Sequence, residues 1–213
     1  MALTKASVLS ELQTNYANTG LAWSDILSAV KRALHILSSR ANWPDLYRGD
    51  ETDDRASLVA DSDTIDHPNY FKTLDCIILN DGTYDYKPLI EIKFDKLKRN
   101  QAMGTSTSRP RRFAVRGNKW YLDQPCDDSY TAKLFFWRYH PTLTSSTEDS
   151  GDDTILFSDK FLPVISALAT YEYAKEHKRT SYVKEWSGKS ATELALILPA
   201  EDKKTSIAKY SEF

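Results

Sequence analysis

The sharpest chemical pattern in the chain is Asp75 followed on the next extended segment by Glu91-Ile92-Lys93. In metal-dependent nucleases an Asp…Glu-Xaa-Lys order lets two carboxylates hold a divalent cation while the lysine positions the attacking water. Segments 74–80 and 86–94 read as strands of a hairpin turning at Asn80-Asp81-Gly82-Thr83, with Glu91 and Lys93 on one face. The same residues serve as a solvent-facing cross-strand charge pair, and this plainer reading is favoured. No helix-borne base or Pro-Asp start accompanies them. A metal-dependent nuclease centred on Asp75, Glu91 and Lys93 is therefore the alternative reading.

Other chemistry is sparse. Cys76 and Cys126 share no ligand spacing with His35, His67, His140 and His177, so a zinc site is not expected. Free thiols and a Cys76–Cys126 bridge both remain open. Neither a Gly-rich phosphate loop nor a Ser-His-Asp set is present. No catalytic residue, metal or cofactor is assigned, and the chain is not expected to be an enzyme.

Arg109, Arg111, Arg112, Arg116 and Lys119 interleave with Phe113, Trp120 and Tyr121, a composition suited to phosphates and stacked bases. It suits equally a basic face that meets the acids of a neighbouring subunit, from 50–66 or 148–153, and the second reading is preferred. Tyr171, Tyr173, Tyr182 and Trp186 could line a peptide groove, but aromatics at helical spacing more often form core or interface. Over 213 residues the net charge is -2, with 41% hydrophobic and 27% charged residues, which is globular composition without an overall pull toward nucleic acid. The charge is blocked: 45–66 holds eight acids against Arg48 and Arg55, and 93–119 holds nine bases against Asp95 alone. Such blocks suit subunit packing.

The elements that position these residues follow from periodicity. Val8, Leu9, Leu12 and Tyr16 mark a first helix capped by Thr4 or Ser7 and stopped at Asn18-Thr19-Gly20. A second begins at Ser24, with Ile26, Leu27, Val30, Ala33, Leu34 and Leu37 on one stripe. Trp43-Pro44 forces an extended exit. Segment 57–60 reads as a strand, and 95–103 as one or two helical turns. From 111 to 139 a three-strand meander is expected, turning at Arg116-Gly117-Asn118 and again through 123–129. Segment 144–154 is expected to be an acidic, solvated loop. A helix capped by Ser158 or Asp159 then carries apolar residues around most of its circumference, so it is buried on several sides. Beyond His177 the pattern loosens, with Gly188 interrupting and Pro199 ending the last helical run. The tail is expected to be disordered alone, with Ile207, Tyr210 and Phe213 spaced for an edge that orders on a partner. The start lacks a signal-peptide pattern, and no apolar run approaches the roughly 20 residues of a membrane helix. Export or a membrane anchor is not expected.

The sequences LSAVKRALHILSSRANWPDLY, KPLIEIKFDKLKRN, RRFAVRGNKWYLDQPCDDSYTAKLFFWRYHPTL and FLPVISALATYEYAKE, in this order, resemble the head-to-tail adaptor (connector) proteins of tailed bacteriophages, short-tailed phage type. The likeness covers about residues 20–176. Gly104 to Pro110 is longer than the family's Gly-Xaa-Pro, and the C-terminal tail shows no alignable pattern. The resemblance implies a homo-oligomeric ring of twelve subunits at the portal vertex of the virion, assembled in the host cytoplasm. It would bind the portal protein, dock a tail or nozzle protein, and pass DNA through its channel without sequence-specific binding.

The expected fold class is α+β: a helical bundle from the N-terminal helix pair and a long C-terminal helix, an inserted antiparallel β domain, and an extended C-terminal arm. Its divisions are 1–43, 44–143, 144–178 and 179–213. Portal contact is expected from the arm, at Tyr182, Trp186, Leu196, Ile207, Tyr210 and Phe213. Subunit contact is expected at Arg109, Arg111, Arg112, Trp120 and Trp137.

Overall fold

A computed structural model of the chain describes residues 3–49, 51–104, 106–144 and 154–208, with only the backbone of 199–208. The fold is α+β and divides into two compact units, Met1–Leu46 with Tyr139–Phe213, and Tyr47–Arg138.

The helical unit is built around one helix. Helix α1 (Lys5–Asn15) is capped by the Thr4 hydroxyl, which accepts the Ser7 N–H at 3.1 Å. It stops differently from expectation: Ala17, not Gly20, takes the positive φ of 48°. The Asn18 and Ala17 N–H groups reach back to the Gln13 and Thr14 carbonyls at 2.9 and 3.0 Å, a closure that satisfies the helix end. Helix α2 (Trp23–Arg40) begins with the Asp25 carboxylate accepting the Ala22 N–H, and buries Ile26, Val30, Ala33, Leu34 and Leu37 along the expected stripe. Helix α4 (Leu162–Glu176), so numbered because α3 (Phe94–Ala102) precedes it in the sheet unit, buries residues on nearly every side. Helices α1, α2 and α5 (Thr180–Ala208) all pack against it. Helix α1 touches α2 little, so the N-terminal pair is joined through α4 rather than to itself.

The Trp43-Pro44-Asp45 linker completes two helices. The Trp43 indole N–H donates to the Leu37 carbonyl at 2.6 Å, one of the orphan acceptors at the end of α2. Its ring is fully buried, edge-on to Phe161 at 5.1 Å and Phe157 at 6.4 Å. Asp45 accepts both the N–H and the hydroxyl of Ser158 at 2.8 Å, capping the turn that opens α4. His140 fastens the same region. Its Nε2 accepts the Leu156 N–H at 3.0 Å, which requires the proton on Nδ1, and Nδ1 donates to the Pro141 carbonyl at 2.7 Å. The imidazole stacks on Phe157 at 5.8 Å.

The sheet unit holds two four-stranded sheets. In the first, β8 (Tyr130–Arg138) is central: β4 (Phe71–Asn80) lies on one edge, and β1 (Tyr47–Gly49) and β2 (Ala56–Leu58) divide the other. The second has the order β3 (Thr64–Asp66), β7 (Lys119–Leu122), β6 (Arg112–Arg116) and β5 (Ile90–Glu91). Their shared core includes Ile65, Ile77, Phe113, Trp120, Leu122, Leu134 and Phe136.

Two expectations about pairing are corrected here. The β6–β7 hairpin forms with Gly117 at φ 63°, but β8 does not continue a meander; β7 pairs instead with β3. The seven-residue connection 123–129 crosses between sheets, because buried Cys126 bonds to 61–62 in both directions: its N–H to the Ser62 carbonyl and the Asp61 N–H to its own carbonyl. With apolar residues on both faces, β8 is stabilised more as a central strand than as a meander edge. The second hairpin turns at 80–85 as expected, yet its returning strand keeps only the bonds from Tyr86 N–H to Leu79 and Leu89 N–H to Ile77. Pro88 has no N–H to extend the ladder, and the chain then leaves as β5 to pair in parallel with β6. Cys76 and Cys126 do not form a disulfide with each other.

Replacing His140 by Phe keeps the stack on Phe157 but strands the Leu156 N–H. The unfolding free energy should fall by about 1–3 kcal/mol, read as a lower denaturant midpoint at unchanged slope; an unmoved midpoint would show that water replaces this acceptor.

Candidate partner-binding surfaces

The residues expected to share a metal do not come together on one hairpin. Asp75 lies on β4 and accepts the Tyr47 hydroxyl at 3.1 Å. Glu91 is exposed on β5 in the other sheet, and Lys93 supplies the backbone cap of α3. Among the described residues no group of three His, Cys, Asp or Glu side chains could hold a metal ion. Within the same residues no helix is long and apolar enough to cross a membrane.

The expected subunit-contact residues separate into two kinds. Trp120 has no exposed surface; it packs against His67 and Phe71 in the sheet core, with ring centroids at 4.3 and 5.1 Å. It is a core residue and not an interface residue. Trp137 is 9% exposed and packs on Tyr47 at 5.0 Å. Arg109, Arg111 and Arg112 instead gather on a cleft of about 550 Å³, lined also by Ser108, Asp123, Gln124 and Asp127. Asp123 Oδ1 accepts the backbone N–H groups of Arg111 and Arg112 at 3.1 and 3.2 Å, and Asp127 accepts the Tyr130 hydroxyl at 2.8 Å. Burial, then this carboxylate, raises the Tyr130 phenol well above its ordinary range. Burial, with Asp127 and Asp63 nearby, pushes the Cys126 thiol up to about 11, so it stays protonated at neutral pH.

Of the remaining basic residues, Arg116 reaches α3, whereas Lys119 pairs with Asp66. Arg116 lies over the Phe94 ring at 4.7 Å, and Lys98 over Phe94 and Tyr121 at 5.6 and 5.7 Å. Phe94 and Tyr121 meet edge-on at 5.2 Å. Cations already occupy these rings, so they offer little platform for bases. Both charge blocks are also partly neutralised inside the chain, through Arg48–Asp54 and Lys119–Asp66.

The expected arm is mostly body. Tyr182 stacks on Tyr16 at 4.9 Å, and Trp186 is 8% exposed. Tyr182, Val183, Leu194, Ile197 and Leu198 pack on the helical core, whereas Leu196 is exposed. Helix α5 runs through Gly188, whose propensity cost of about 1 kcal/mol is small beside the burial of Trp186. Its backbone also continues past Pro199 to Ala208, correcting the expected stop. Ile207 lies on this helix without a described side chain, and Tyr210 and Phe213 lie outside the described residues.

With both units described, their relation to known proteins is direct: the family described as SU10 adaptor protein matches residues 3–206. The chain belongs to this family. It is a phage adaptor protein, and the match spans the helical and the sheet units alike. No curated protein matches the chain significantly.

One surface of the adaptor was hidden from sequence reasoning. The turn at 80–86 is held by side chains: Asp81 accepts the N–H groups of Thr83 and Tyr84 at 2.9 and 2.8 Å and the Tyr86 hydroxyl, while Asp85 bonds Asn80 and Lys133. It displays Tyr84, 68% exposed. The Asn80-Asp81-Gly82 signal marks the turn, but not the side chain that it presents.

Two measurements follow from these placements. Ending the adaptor before Thr180 should cost roughly 3–6 kcal/mol of stability, because it removes the partly buried Tyr182 and the buried Trp186 and exposes the core surface that α5 covers. Ending it after Leu198 should leave the melting midpoint in place, and equal midpoints for both truncations would remove α5 from the core. The Tyr86 hydroxyl and the two turn N–H groups lower the Asp81 carboxyl to about 2. Its contribution is complete above the unfolded value and is lost as pH falls toward 2. An NMR titration should find this midpoint, and Tyr86→Phe should raise it.

Proposed function

We propose that this adaptor forms the head-to-tail ring of a tailed-phage virion. It binds the portal protein, presents a docking platform to a tail or nozzle protein, and lets DNA pass through the central channel. The ring has twelve copies, sits at the portal vertex, and is assembled in the host cytoplasm. The observation that carries this reading is the family match over 3–206, which takes in both structural units.

The physical features support it. A subunit with separate acidic and basic surfaces can make the same heterologous contact repeatedly, and a rotation that closes gives a ring. The cation-covered rings of Phe94 and Tyr121 suit a wall past which DNA slides better than one that stacks bases. In this reading 179–213 contributes to the portal contact from its distal part, with exposed Leu196 followed by Ile207, Tyr210 and Phe213. Tyr182 and Trp186 support that segment from within the helical unit rather than touching the portal themselves.

Mixing the purified adaptor with its phage's portal protein and imaging the particles by electron microscopy should show portals capped by a closed ring of twelve copies. Portals that remain bare at saturating adaptor would overturn the proposal.

A further inference from the structure

The Arg109–Arg111–Arg112 cleft has the chemistry of a carboxylate receptor. Among the described residues none of the three guanidiniums makes an ion pair. Arg109 lies over the Tyr86 ring at 4.1 Å, which reduces the freedom that it loses when it binds. The acids nearest to it are already engaged: Asp123 by the Arg111 and Arg112 backbone, Asp127 by Tyr130. These two carboxylates still line the cleft. Asp61 and Asp63 bracket Ser62, which bonds the same loop through Cys126. A string of phosphates needs an extended positive surface, which the four carboxylates at this end of the sheet interrupt, whereas a short acidic turn needs only the arginines and can meet them bidentately. The cleft therefore fits an acidic protein segment better than a duplex backbone.

The chain carries one such segment in its own sheet unit. Glu51 and Asp53 are both exposed, on and beside the short 3-10 turn Thr52–Asp54, and neither makes an ion pair among the described residues. Arg48 binds Asp54 and so braces the turn that displays them. Among the described residues, the other acids of the block are committed elsewhere or lie beside the cleft: Asp45 to Ser158, Asp66 to Lys119, and Asp61 and Asp63 at the sheet end.

We infer that the Arg109–Arg111–Arg112 cleft of one adaptor receives the Glu51–Asp53 turn of a second copy, as the charged contact that repeats around the ring. This rests on the ring reading above, and adds to it the two surfaces that meet. Because cleft and turn are different patches of one unit, the contact is head-to-tail, as a closed ring requires.

Charge reversal with rescue tests it on the full-length adaptor bound to portal. R111E/R112E should lower ring occupancy about a hundredfold or more, since like charges then face each other. E51R/D53R should do the same. All four residues are exposed, and circular dichroism melting of each variant should match the wild type. Mixing the two variants, or combining the four changes in one chain, should restore rings by re-pairing opposite charges. Full rings from either variant alone, or no restoration on mixing, would overturn the contact while leaving the ring standing. Wild-type adaptor that never forms a ring would instead remove the ring reading, and this contact with it. Anisotropy of a labelled 20-base-pair duplex gives the remaining arm: loss of DNA binding in R111E/R112E with rings intact would assign the cleft to DNA and overturn the inference.

Discussion

The helical unit depends on the burial of Trp43. Its indole closes α2 through the Leu37 carbonyl, its ring fills the space beside Phe157 and Phe161, and the next but one residue, Asp45, opens the approach to α4. Two residues of one short linker, Trp43 and Asp45, thus finish one helix and start another. Burying a tryptophan is favourable by a few kcal/mol, more so when its N–H finds a partner, and the end of a helix has carbonyls to spare. The chain leaves this unit at Leu46 and returns at Tyr139, and His140 secures the return through the Leu156 N–H. Departure and return are therefore fastened within the same helical unit, which allows a sheet unit of 92 residues, Tyr47–Arg138, to be inserted without breaking its core.

Inside the sheet unit the governing constraint is the amphiphobic strand β8. Tyr130, Ala132, Leu134 and Phe136 face the shared core, and Trp137 is nearly buried on the opposite side. A strand apolar on both faces gains most when both its edges are paired, and β8 is paired with β4 on one edge and with β1 and β2 on the other. That choice releases β7 to take β3, and the second sheet follows. Charge is arranged around this apolar frame. Some opposite charges meet within the subunit, as at Lys119–Asp66, and others make no ion pair among the described residues, as in the arginine cleft. For a protein that works by assembly, unpaired charge on a folded surface is where partner selection resides.

Legibility varied with the range of the interaction that decided each feature. The α2 stripe, the α4 circumference and the Gly117 turn are local patterns, and the structure has all three. The meander failed because turn signals in 123–129 say that the chain reverses, not which sheet it reverses into; the contacts of Cys126 with 61–62 make that decision. Strand β3 was missed because its three residues sit in an acidic stretch and depend on β7 for their bonds. Among the candidate residues, Trp120 shows the limit best. Its alternation with Leu122 was readable, but whether that face met a neighbour or the subunit's own second sheet was not.

By itself the sequence determined most of the helical and extended segments, the α+β class, and the order of motifs that marks an adaptor, because these depend on residues a few positions apart. Only the tertiary structure decided that α5 belongs to the body, that Asp75 and Glu91 occupy different sheets, and that three arginines share one cleft. Those outcomes turn on competition between distant surfaces for the same burial and the same hydrogen bonds. A linear pattern records what each segment can bury, but not which partner wins it.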